Sequence, residues 1–132
     1  MAWYEAHQTM ARHPKTLKLA RLVKADRRYA VGLLHDLFCW GLDAAGKYGE
    51  LTGMTKEDIA AALDIPGKRG IQAVDALVES GYLEVDLPMS DALAGGRPCY
   101  RIHDWYDYAG KLMDRREADK EKMKRYRTGN TR

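Results

Sequence analysis

With 132 residues, 45% of them hydrophobic, the chain can fill one core of ordinary size, and two domains would strain it. No apolar run approaches the roughly 20 residues of a membrane span, and the N-terminus lacks a signal-peptide pattern, so the expected location is the cytoplasm. The net charge of +3 conceals an asymmetry: residues 111–132 hold nine Lys or Arg against four acids, while the rest of the chain holds 13 against 15. Such a separation points to a polyanionic partner such as nucleic acid. A solvated helix or linker with no partner is the competing reading of the same mixed-charge run. The body is itself polarised, with seven basic and three acidic residues in 1–40 but six and twelve in 41–110.

Along the chain, Trp3 to His7 suits a short edge strand. His13-Pro14 then offers a helix start with proline at the first helical position. Leu19, Leu22 and Val23 recur at helical spacing. Asp26 is placed to cap a longer helix, in which Ala30, Leu33, Leu34, Leu37, Phe38, Trp40 and Gly41 leave little polar surface, ending near Gly46. A helix so apolar is expected at the centre. Residues 49–53, bounded by glycines, suit a small strand.

Thr55 with Asp58 three residues on predicts a capped helix over 55–64, with Ile59, Ala60 and Leu63 on its apolar side. Ile65-Pro66-Gly67 must turn. A further helix over 68–80 places Ile71, Val74, Leu77 and Val78 inward and stops at Gly81. Beyond Gly81 the period changes from helical to alternating: Leu83, Val85 and Leu87 face one way, Glu84 and Asp86 the other. Residues 88–98 form a loop, and alternation resumes at Tyr100 and Ile102, which predicts 82–87 paired antiparallel with about 99–105. Helix, turn, helix and a β wing on two preceding helices define the expected fold, mainly α with a small β wing: a winged helix-turn-helix over 1–110, followed by a basic C-terminal arm over 111–132, helical or disordered.

Four blocks carry a family likeness: His13-Pro14-Lys15-Thr16-Leu17-Lys18-Leu19-Ala20, Leu37-Phe38-Cys39-Trp40-Gly41-Leu42-Asp43, Ala76-Leu77-Val78-Glu79-Ser80-Gly81-Tyr82-Leu83, and His103-Asp104-Trp105-Tyr106-Asp107-Tyr108-Ala109-Gly110. In this order they resemble the N-terminal winged-helix domain of phage replisome-organiser and DnaD-type replication initiation proteins, over nearly the whole chain. The resemblance implies a domain that binds DNA or self-associates, usually with a further C-terminal region for replication partners.

The chemistry of individual side chains bears on DNA contact. The N-terminal end of the second helix of a helix-turn-helix approaches base edges; Lys68, Arg69 and Gln72 occupy that end. Arg and Lys can donate to guanine and Gln can pair with adenine, whereas Asp75 and Glu79 further along would repel phosphate. Arg97 and Arg101, in or beside the wing, are candidates for phosphate or minor-groove contact. The arm contributes Lys111, Arg115, Arg116, Lys120, Lys122, Lys124, Arg125 and Arg127. Its Glu and Asp residues stand three or four positions before basic ones, as in a solvent-exposed helix. Leu112, Met113, Met123 and Tyr126 are too sparse for a heptad seam.

No enzyme site emerges and no cofactor is expected. Cys39 and Cys99 belong to no paired motif. His35 and Cys39 share a helix face, but with no third ligand at matching spacing they are expected to be packing residues of an apolar helix, with no metal. His103-Asp104 is expected to fix the junction between strand and arm through hydrogen bonds. Two function classes therefore stand. One is a DNA-binding protein of phage or prophage replication, or a transcriptional regulator on the same fold, favouring duplex over single strands. The other is an interaction module of a replication protein that forms homo-oligomers through surface near Trp3, Tyr4 and Trp105, with the arm as a linker.

Overall fold

The computed structural model describes residues 2–86 and 98–129. Leu87 and residues 88–97 of the expected 88–98 loop, Arg97 among them, lie outside the described residues. The described chain is mainly helical, with one three-stranded antiparallel sheet.

After a turn of 3-10 helix at Met10–Arg12, α1 spans Pro14–Leu22. His13 stands at its N-cap in an extended conformation, and its Nδ1 accepts the Lys15 N–H at 3.1 Å. Asp26 opens α2, Arg27–Ala44, by accepting the Tyr29 N–H at 2.9 Å. Ala30, Leu33, Leu34, Leu37, Phe38, Gly41 and Leu42 form its buried stripe. β1 is Glu50–Leu51. Thr55 and Asp58 complete a reciprocal capping box at the start of α3, Lys56–Ala62. The turn passes through Asp64 in the left-handed region and Pro66 into α4, Gly67–Ser80, which Gly81 ends at φ +92°. β2, Leu83–Asp86, and β3, Cys99–Ile102, follow, and then α5, Trp105–Gly129.

The sheet order is β1-β3-β2. Arg101 stands opposite Glu50 on one side and Glu84 on the other, and Tyr100 opposite Leu51 and Val85. The core gathers on α2. The Phe38 ring stacks on Tyr108 at 4.6 Å, meets Tyr4 edge-on at 5.3 Å and lies 6.2 Å from Trp105, so one aromatic cluster joins the N-terminal segment, α2 and α5. Gly41 is what lets α5 come this close: a Cβ there would stand 2.8 Å from Ile102 Cδ1 and 2.9 Å from Trp105 Cη2. Thr16, fully buried, donates to the Met10 carbonyl and shares a 2.5 Å hydrogen bond with the Tyr82 hydroxyl, pinning α1 to the start of β2.

Three expectations need correction. Trp3 to His7 is not a strand: Glu5 N–H donates to the Tyr108 carbonyl of α5, so the segment lies against a helix instead of a sheet edge. The second wing strand stops at Ile102, short of the expected 105. Asp104 takes φ +52° and turns the chain, so the aromatic run from Trp105 to Tyr108 belongs to the first turns of α5, where Trp105, Ala109 and Leu112 are buried. The helix then continues through residue 111, the expected boundary, without interruption. Finally, His35 and Cys39 are exposed; with Leu34, Leu37, Phe38 and Gly41 inward, positions 35 and 39 fall on the outer face of α2.

Candidate nucleic-acid interface

The first turn of α4 is open. Pro66 supplies no side-chain cap, and no acid lies in that turn. Lys68, Arg69 and Gln72 are all exposed there, with no side-chain partner among the described residues. Gly70 allows the turn to close on the helix, since a Cβ would come 2.2 Å from the Ile65 carbonyl oxygen. Uncapped backbone amides and two cations make this end attractive to phosphate. Asp75, one of the two acids that would oppose it, is held by Lys56 at 2.7 Å, and the hydrogen bond raises the lysine pKa. Glu79 remains exposed.

The arm divides into a docked part and a free part. Lys111 pairs with Glu5 at 2.9 Å, and the Arg115 guanidinium lies 5.8 Å from the centre of the Trp3 ring. Arg116 donates to the Leu42 carbonyl and stands 3.8 Å from Asp43. From the body, Lys47 reaches Glu117 at 2.8 Å and Asp114 at 3.6 Å, and the Glu117 hydrogen bond pushes the Lys47 pKa up to about 12. Beyond Glu117 every side chain through Thr128 is exposed. Arg125 has only Glu121, at 4.0 Å, whereas Lys120, Lys122, Lys124 and Arg127 have no ion-pair partner among the described residues. At 1.5 Å per residue, residues 118–129 project about 18 Å. A peptide this short is a marginal helix in water, but here it extends a helix nucleated by the burial of Trp105, Ala109 and Leu112.

Arg101 is differently placed. Its Nε and Nη2 donate to Glu84 at 2.9 and 2.6 Å, and Nη1 lies 3.2 Å from Asp86. Glu84 also receives a hydrogen bond from His103 Nδ1, while His103 Nε2 lies 3.1 Å from Asp104. The hydrogen bonds from His103 first and then from Arg101 hold the Glu84 carboxyl below the usual range. Arg101 is thus neutralised within the sheet, and His103 ties β2 to the turn before α5. The structure brings Lys68, Arg69 and Gln72 together at one helix end and Lys120 to Arg127 along another helix.

Trp105, considered for an interaction surface, is only 1% exposed and belongs to the core. Sequence reasoning also passed over cations in the first third of the chain: Arg12, Lys18, Arg21, Lys24, Arg27 and Arg28 have no ion-pair partner among the described residues. The signal was the excess of basic residues in 1–40. Comparisons with protein-family models, curated proteins and solved structures find no match to this chain. No helix among the described residues is long and apolar enough to cross a membrane.

Proposed function

We propose that the protein is a DNA-binding winged helix-turn-helix protein of phage or prophage replication initiation, of the replisome-organiser type. The observation that carries the DNA reading is the free end of α5, with four unpaired cations on a helix anchored in the core, set against a body whose net charge is slightly negative. The capped α3, the turn at Ile65-Pro66-Gly67, and α4 followed by the β2–β3 pair support the winged-helix reading. Lys68, Arg69 and Gln72 orient the domain on the duplex, and the arm supplies most of the affinity through phosphate. The replication role rests on the sequence blocks alone.

Binding to duplex and single-stranded DNA, titrated with salt, tests this reading. The duplex is expected to bind more tightly, and its log affinity to fall steeply with log salt. Lys68→Ala with Arg69→Ala should reduce that slope by at most about two and, if bases are read, weaken sequence preference. Absence of binding at low salt would favour the interaction-module reading.

A further inference from the structure

We propose that Lys24 and Arg28, at the corner between α1 and α2, form with Lys68 and Arg69 a second phosphate-binding surface for duplex DNA, separate from the arm. This surface extends the DNA-binding reading above and rests on it. Lys24 and Arg28 are exposed, Arg27 between them is half-buried, and none of the three has an ion-pair partner among the described residues. Lys24 takes φ +56°, a left-handed conformation that usually falls to glycine at the end of a helix. The chain turns its corner on a lysine instead.

The corner and the start of α4 border one groove of about 380 Å³. Tyr29 and Gly32 of α2 line one bank, and Asp64 and Ile65, at the turn between α3 and α4, line the other. Arg28 stands one helical turn before Gly32, on the same stripe. A Cβ at Gly32 would meet nothing within 4 Å, so this bank is open. Across the groove, the first turn of α4 folds back onto Ile65, whose carbonyl oxygen would lie 2.2 Å from a Cβ at Gly70, so Lys68 and Arg69 leave from that bank. The exposed Tyr29 adds a hydroxyl that can donate to phosphate. Three acids oppose the cations: Asp26 accepts the Tyr29 N–H at 2.9 Å, and Asp36 and Asp64 line the groove. Lys24, Arg27, Arg28, Lys68 and Arg69 outnumber them. The arm docks at the other end of α2, where Arg116 donates to the Leu42 carbonyl. Residues 28 and 42 are about 21 Å apart along the helix axis, so the two surfaces meet different phosphates.

The test uses the full chain, a labelled duplex and fluorescence anisotropy across a salt series. Lys24→Gly with Arg28→Ala is expected to lower the slope of log affinity against log salt by about 1.8, at about 0.9 per phosphate contact. Glycine suits the positive φ at 24 and alanine favours helix at 28, and circular dichroism checks that the fold is intact. The same pair should lower the slope equally in a chain whose Lys120, Lys122, Lys124, Arg125 and Arg127 are all alanine, because distant contacts add. Asp64 also has a positive φ, of +58°. Asp64→Asn keeps a residue tolerant of that conformation, removes a repelling charge, and is expected to tighten binding about twofold at low salt. Such a gain cannot come from damage to the fold. A slope unchanged by the corner pair, in a chain that binds duplex DNA, would overturn this surface and leave the DNA-binding reading standing; so would loss of all binding on neutralising the arm. No binding by the unaltered chain would overturn both. An affinity unchanged in Asp64→Asn would remove the α3–α4 bank from the surface. A corner pair that abolished binding to vesicles of anionic lipid while leaving DNA affinity intact would give the surface to a membrane instead.

Discussion

Lys120, Lys124 and Arg127 lie at i, i+4 and i+7 on α5 and so fall on one stripe, whereas Lys122 and Arg125 point to other sides of the helix. If the arm runs along a duplex as a rigid helix, only one stripe reaches phosphate at a time. Replacing Lys120, Lys124 and Arg127 by alanine should then lower the slope of log affinity against log salt by about 2.7, at about 0.9 per phosphate contact. Between about 50 and 200 mM salt, that difference is worth about fortyfold in affinity. Lys122→Ala with Arg125→Ala removes two cations but should change the slope by less than about one. Fluorescence anisotropy with a labelled duplex at four or five salt concentrations measures both. Equal loss per cation in the two variants would refute the single-face contact and indicate an arm that binds as an unstructured polycation.

Other expectations concern the frame that holds the arm. Gly41→Ala should destabilise the fold by about 1–3 kcal/mol in urea denaturation, because the new methyl overlaps Ile102 and Trp105; an unchanged midpoint would remove the argument for close approach. Trp105→Ala should cost about 3–5 kcal/mol. Trp105→Phe should cost far less, since the buried Trp105 Nε1 has no hydrogen-bond partner to lose. Because the Glu84 pKa is lower in the folded chain than in the unfolded one, its contribution to stability is present above the usual carboxylate range and is lost as the pH falls through the depressed folded value. Glu84→Gln should flatten that acid limb of a stability-versus-pH curve, and a curve of unchanged shape would assign the limb to other carboxylates.

The local signals were the readable ones. Thr55 with Asp58, Asp26 before the α2 stripe and the change of period at Gly81 are each written within a few neighbouring residues, and the helices and strands begin where those signals stand. The start of α5 is different in kind. His103-Asp104-Trp105-Tyr106 has the aromatic content of a strand, and what makes it a helix is the left-handed Asp104 and the space beside Gly41, which lies far away in sequence. The outward placement of His35 and Cys39 was available from the positions of Leu34, Leu37 and Phe38, but the overall apolarity of α2 masked it. In the candidate interface, the open start of α4 was legible. The capture of Arg101 by Glu84 and Asp86 was not, because it depends on strand register.

The unbroken passage of α5 from the core into solvent makes the arm a lever and not a tether. A flexible tail would sample many placements of its charges and lose that freedom on binding; a helix rooted at Trp105 presents them in one direction. Its free length of about 18 Å is close to half the roughly 34 Å pitch of B-form DNA. The protein therefore carries a ruler: inserting four residues after Glu117 would move the basic stripe outward by about 6 Å and rotate it by about 40°. On the proposed DNA-binding reading, spacing along the duplex, and not only the amount of charge, becomes a property that the chain specifies.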